Sequence, residues 1–379
     1  MISGEKLYLW QSGDWPNWRF DPAALAGPLA AVHRAQGHLA GRMVEFGEPQ
    51  RDEASVRTFT DDVLKTSEIE GEHLNAESVR SSVARRLGVD AGALAPVDRG
   101  VEGVVEMVLD ATQRFDEPLT PERLWAWHAA LFPTGRSGMR TIQVGQWRDD
   151  RHGPMQVVSG RYGRERVHYE APPADRMASE MEAFLRWFEA ESTDDPVIRA
   201  GLAHLWFVSI HPFDDGNGRI ARAVGDMALA RAERSSDRYY SLSTQIQRDR
   251  NSYYQLLEST QKETMDVTAW LVWFLASLLK ALERAEVILD DVLVKARFWK
   301  RWSAVPLNAR QINLLNRLLD GFEGKLTSGK WAKIAKCSGD TALRDINALV
   351  ELGALRKAEA GGRSTSYELV LWGGTERGK

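Results

Sequence analysis

The chain has 379 residues, 43% of them hydrophobic and 27% charged, with a formal net charge of −4. This is ordinary globular composition with room for two or three domains, and it excludes a chain that is basic throughout and binds nucleic acid along its whole length. A single cysteine, Cys337, excludes an internal disulfide and a cysteine-rich metal site, and fits a cytoplasmic setting.

The start, MISGEKLYLWQSGDWPNW, has no charged head leading into an apolar run, so no secretory signal is expected. The most apolar stretches, 198–210 and 267–279, fall short of the ~20 residues that a membrane span needs. They read as buried helices, and no membrane association is expected. After a Trp/Pro-rich opening, 22–43 and 54–64 read as helices, the second with Val56, Phe59, Val63 and Leu64 on one side. Gly71 breaks that pattern, Asn75 starts the next helix as an N-cap, and 88–96 reads as a loop. Helices are expected at 103–114 and 121–132. The Gly- and Arg-rich stretch MQVVSGRYGRERVHYEAPP then reads as a β-hairpin, Met155 to Tyr169, ended by Pro172–Pro173. Helices resume at 177–191, 197–210, 220–231, 251–261 and from 267 to about 302.

Beyond Pro306 the texture changes. Three short helices are expected, capped by Asn308, Thr327 and Ser338 or Asp340. A strand, a Gly361–Gly362 turn and a second strand follow, a winged helix-turn-helix pattern. Ten basic residues there face seven acids, Asp320, Glu323, Asp340, Asp345, Glu351, Glu359 and Glu368. The surplus is mild, and two of the acids lie on the expected recognition helix, so DNA binding and docking of a target protein both stay open.

The chemistry concentrates in HPFDDGNGRIARAV, 211–224. Pro212 disfavours helical geometry at His211, so a buried helix should end there. The Gly-Asn-Gly turn leaves successive N–H groups free to face an anion, at the electropositive start of a new helix near Arg219. Arg219 and Arg222 are three apart and share one helix face, where both can reach the same anion. Asp215 supplies the single carboxylate that nucleotide-bound Mg²⁺ commonly takes from a protein. His211 can serve as general base toward an attacking hydroxyl. No GxxxxGK[ST] pattern occurs, which speaks against a common NTPase.

HPFDDGNGRIAR is similar to the Fic-domain motif at every fixed position. The resemblance, which covers about 54–290, implies an adenylyltransferase that moves AMP from ATP to a protein hydroxyl and releases pyrophosphate. It implies a mainly α fold, a Fic-type helical core with a β-hairpin flap; the small winged helix-turn-helix domain follows it. In that scheme His211 is the base, Asp215 the Mg²⁺ ligand, and Gly216, Asn217, Gly218 and Arg219 the phosphate cradle, continued through Ile220 and Ala221. Arg222 holds the γ-phosphate, and Phe213 anchors the loop by packing. The hairpin 155–169 corresponds to the flap that clamps a target segment as an added strand. SYYQLLESTQ resembles the stretch that packs on adenine, which nominates Tyr253, Tyr254, Leu257 and Gln261.

TSEIEG, 66–71, resembles the family's inhibitory motif through Thr66, Glu70 and Gly71. A carboxylate brought to Arg222 would take the place of the γ-phosphate and leave ATP only a non-productive pose. The expected layout is an N-terminal helical region (1–53), a catalytic domain (54–300) with its inhibitory helix near 56–70, and a winged-helix domain (306–372). Self-modification, AMP removal or transfer of another nucleotide stay open, as does a DNA-binding regulator that senses nucleotide without turnover. The sequence leaves the oligomeric state open, with a homodimer among the states the resemblance allows. His204 and His128 read as core histidines, and Asp149–Asp150 as a solvated turn.

Overall fold

The computed structural model describes residues 8–371 except 45, 90–98, 152, 162, 263, 320–321, 323 and 359–364. Most of the expected loop 88–96, the Gly361–Gly362 turn and the charges Asp320, Glu323, Glu359 and Arg363 therefore lie outside the described residues. The chain divides into two compact units, Met1–Ala285 and Glu286–Lys379.

In the first unit, a segment around Arg19 pairs with the backbone at Met265 and Val267 and leads into α1 (Pro22–Val44). α2 (Glu48–Ile69) is longer than its apolar pattern implied, because Gly47 and Pro49 start it early. The expected boundary at residue 53 thus falls inside a helix. α2 ends against Gly71, whose φ of +84° only glycine adopts freely. α3 (Ala76–Leu87) is capped by Asn75, which accepts from Ser78 N, and closes on left-handed Gly88. α4 (Arg99–Gln113) and α5 (Pro121–Leu131) follow. A small ladder missing from the sequence pattern, β1 (Arg136–Ser137) with β2 (Arg140–Thr141), precedes the hairpin of β3 (Gln156–Arg161) and β4 (Arg164–Glu170). That hairpin is antiparallel, with Val157 opposite Tyr169, and has a register shift at Val157/Val158.

α6 (Met177–Glu189) leads to α7 (Pro196–Ile210), in which Asp195 caps Val197 N and Pro196 sits at the first position. α7 has no polar face: Leu202, Leu205, Phe207 and Ile210 are all buried. Burying each contributes roughly 1.5–3 kcal/mol, which anchors the helix end from which the site is hung. α8 (Asn217–Glu233) packs along α7. α9 (Leu242–Arg248), hidden in the sequence by its short polar run, and α10 (Arg250–Thr260) follow, then the long α11 (Thr268–Trp302), whose residues from Glu286 on belong to the second unit.

The second unit contains α12 (Ala309–Leu319), α13 (Ser328–Ile334), α14 (Gly339–Glu351) and an antiparallel pair, β5 (Leu355–Lys357) and β6 (Tyr367–Leu369). Asn308, Thr327 and Ser338 each accept a hydrogen bond from a first-turn N–H. Its core gathers Phe298, Trp302, Leu314, Leu315, Trp331, Ile346 and Leu349.

Candidate functional site

α7 ends where Pro212 requires it to. His211 takes left-handed geometry, φ 54° and ψ 56°, a conformation that costs a non-glycine residue about 1 kcal/mol and recurs at functional sites. Its Nδ1 lies 3.0 Å from the Val208 carbonyl. A carbonyl only accepts, so Nδ1 carries the hydrogen and Nε2 keeps a free lone pair. Burial pushes His211 below the usual imidazole range; the Arg148 guanidinium acts the same way, while the Val208 carbonyl, Asp215 and Glu70 oppose it. The ring is therefore a neutral base at neutral pH.

The loop that follows is closed on itself. Asn217 accepts from Phe213 N at 2.9 Å and donates to Phe213 O at 2.8 Å. Its amide is thus engaged in the loop, which leaves only its backbone N–H to meet any anion at the helix start. Phe213 is fully buried, stacked on His128 at 4.2 Å and packed beside Trp147. Gly216, at φ +79°, turns the chain into α8; a Cβ there would meet the Phe132 ring at 2.9 Å. No side chain caps α8, so its first-turn N–H groups are left for an anion.

Arg219 rises from that first turn and Arg222 from the next, both 3% exposed. Arg222 donates through Nε to Thr66 Oγ1 at 2.7 Å, and through Nη2 to Thr66 O at 2.9 Å and Glu70 Oε1 at 2.7 Å. Burial works against the Arg222 charge, but the Glu70 carboxylate, with Tyr253 and Tyr254 beside it, outweighs burial and raises its pKa. Arg222 Nη1 and Arg219 Nε are buried without a partner among the described residues, an arrangement that fits a further anionic oxygen. Glu70 reaches so far over the helix start that a Cβ on Gly218 would collide with its carboxylate. Ile220 and Ala221 are fully buried on the far side of α8 and hold it in place.

Asp215 accepts from Ser137 Oγ and, at 2.6 Å, from Gly216 N. Its two oxygens keep lone pairs to spare, the chemistry a divalent cation would need from one carboxylate while taking the rest of its shell from phosphate and water.

The four adenine candidates separate. Tyr253 is buried, and its hydroxyl meets His204 Nε2 at 2.9 Å. Leu257 is buried, and Gln261 spends its amide on Ser209. Tyr254 reaches the inhibitory acid itself; its hydroxyl lies 3.4 Å from both the Ile69 carbonyl and Glu70. Helical spacing cannot show which face turns inward, and here the neighbouring α11 tryptophans Trp270 and Trp273 claim Tyr253. His204 is a core residue, held down to about 3 by burial and then by Arg222. His128 is buried too, held down to about 4 chiefly by burial, but it supports the loop directly through Phe213. Asp149–Asp150 lies in a partly solvated turn whose carboxylates also hold the loop. Asp150 pairs with Arg148 at 3.1 Å and accepts from Ala174 N, while Asp149 accepts from Gln143.

Several site residues carry no motif signal. Arg148, 3% exposed, donates to the His211 carbonyl at 2.8 Å and to Pro172 O, while its own N–H meets Pro212 O at 2.9 Å. It thereby ties the His211 loop to the base of the hairpin. Glu72 meets Arg219 at 2.7 Å; its only trace in the sequence is the second acid of EGE. Tyr169 anchors β4 by donating to Ser209 O, and Glu258 on α10 receives Arg166 at 2.8 Å and His168 at 2.6 Å.

The sequence model of the Fic/DOC family matches residues 118–229, and that of a domain of unknown function (DUF4172) matches 8–89. Protein adenylyltransferase Fic of Drosophila sechellia is 32% identical over 129 residues, 30% of this chain and 26% of that protein. Its Drosophila willistoni counterpart is 29% identical over 154 residues, 37% and 31% of the two chains. The chain thus spans about a quarter to a third of the length of the curated relatives it matches. A Fic family protein from Desulfovibrio desulfuricans superposes with a TM-score of 0.55 at 20% identity, covering 95% of this chain and 99% of that one. A Fic domain containing signaling protein from Bacteroides thetaiotaomicron gives 0.52 at 17% identity, covering 71% and 98%. The helical fold is shared with both. The family match begins just before α5 and ends within α8, taking in the hairpin, α7 and the His211 loop, so residues 118–229 form a domain of the Fic/DOC family.

Proposed function

We propose that the chain transfers AMP from ATP to a hydroxyl side chain of a protein, and that Glu70 holds it inactive. The observation that carries this reading is the state of Arg222: buried, gripped by Thr66, and paired at 2.7 Å with Glu70 beside an uncapped helix start. Such a cation at such a place suits the end of a phosphate chain.

In this reading the triphosphate lies along the start of α8, with its γ-phosphate on Arg222 and the inner phosphates on Arg219 and the N–H groups of 217–219. Asp215 would hold the Mg²⁺, which neutralises phosphate charge when bound. The target hydroxyl approaches along the exposed edge of the β3–β4 hairpin. His211 Nε2 takes its proton as the oxygen attacks the α-phosphorus. The new P–O bond forms as the bond to the β-phosphate oxygen breaks, and pyrophosphate leaves with that electron pair. Tyr254 is the remaining candidate for contact with the base.

The test follows label from α-phosphate-labelled ATP into protein, with cell lysate as the source of targets. Strong labelling is expected in Glu70→Gly, little in the unaltered chain, and none in Glu70→Gly with His211→Ala. No label in any form would replace transfer by nucleotide sensing or AMP removal. For the second unit we infer a winged helix that contacts DNA. Asp345, which sits on the expected recognition helix, turns inward, 5% exposed and bonded to Arg310 and Asn308, so it does not oppose phosphates. Duplex binding that weakens steeply with added salt is expected; no salt-sensitive binding would leave protein docking.

A further inference from the structure

Glu70 is not the only acid on the helix start. Gly71, at φ +84°, bends the chain so that Glu72 N donates back to Ser67 O at 3.0 Å, the same carbonyl that receives Glu70 N. The two carboxylates flanking that glycine therefore turn to one side. They meet two arginines three apart on α8: Glu70 on Arg222, and Glu72 on Arg219 at 2.7 Å. Arg219 is 3% exposed and also lies over the Phe132 ring, so burial and the ring hold it at the helix start. We infer that Glu72 is a second phosphate-competing carboxylate, which removes Arg219 from the inner phosphates while Glu70 removes Arg222 from the γ-phosphate.

The inference rests on the nucleotide-site reading above and changes one consequence of it. With Glu70 alone, the inner phosphates could still bind and only the pose would be wrong. With both acids in place, the two cations are engaged together, and the affinity for nucleotide itself is suppressed. ADP separates the two effects. Lacking a γ-phosphate, it gains little from release of Arg222 but should gain fully from release of Arg219.

The experiment is calorimetric binding of ATP and of ADP, with Mg²⁺, to four forms: unaltered, Glu70→Gly, Glu72→Gln and the double variant. Glu72 is half exposed, and melting curves would verify that its variant folds. Glu72→Gln is expected to raise ADP affinity roughly tenfold, and the double variant should exceed Glu70→Gly by a similar factor, the scale of one charge-assisted hydrogen bond. ADP affinity unchanged by Glu72→Gln, with nucleotide still bound by Glu70→Gly, overturns this inference alone. Failure of all four forms to bind nucleotide overturns the nucleotide-site reading, and this inference with it.

Discussion

A base must be neutral when its substrate arrives, and His211, the proposed base, would meet that condition through burial rather than through a partner acid. Burial lowers its pKa in the fold, so the proton-free form persists as pH falls below the ordinary value near 6.5. In Glu70→Gly, the rate of label transfer should be level above neutrality and should fall on acidification with an apparent pKa below 6.5. A midpoint above 7 in the pH–rate profile would contradict it. Phe213 carries the same loop by packing: fully buried among His128, Trp147 and Phe207, it should cost about 3 kcal/mol when cut to alanine. Denaturant unfolding would measure that loss.

Between elements, the decisive contact is the end of α2 against the start of α8. Thr66 supplies both a hydroxyl and a carbonyl to Arg222, which preorients the guanidinium toward Glu70. Thr66→Val keeps the shape and removes one hydrogen bond, worth about 1–2 kcal/mol when a charged group loses it. Labelling intermediate between the unaltered chain and Glu70→Gly is expected. A second contact joins β4 to α10 through Glu258. Although burial alone would raise its pKa, hydrogen bonds from Lys262, His168 and Arg166 hold Glu258 down to about 2. Because the folded pKa lies below the ordinary carboxylate value, this tie is intact above roughly pH 4.5 and is lost only as pH falls toward 2. Glu258→Gln should hasten hydrogen exchange in β3 and β4 and weaken use of protein targets more than binding of ATP. Equal losses in both would argue against a hairpin role.

For the whole molecule, the two compact units predict two unfolding events. All the residues proposed to meet nucleotide belong to Met1–Ala285. Saturating ATP should therefore raise the melting of that unit in Glu70→Gly, by about 2.7 kcal/mol at a hundredfold excess over Kd. The other transition should stay in place, and calorimetry would resolve which one moves. The match of 8–89 to a domain of unknown function takes in the whole Thr66–Glu72 segment. The acids that face the start of α8 thus come from outside the 118–229 match.

The sequence by itself determined what is local or dense in chemistry. Pro212 and the glycines placed the helix end and the turn, the caps at Asn75, Thr327 and Ser338 were readable, and so were the arginine pair and the acid at 70. Each depends on neighbours within a few residues. Only the tertiary structure decided which side chains converge from afar. Arg148 reaches His211 across 63 positions, Glu72 reaches Arg219 across 147, and Tyr253 meets His204 while Tyr254 meets Glu70. The physical reason is that helical periodicity specifies which residues share a face, whereas the choice of face belongs to the packed neighbours. A lone arginine or glutamate in a polar stretch carries no mark of the partner that the fold will bring to it.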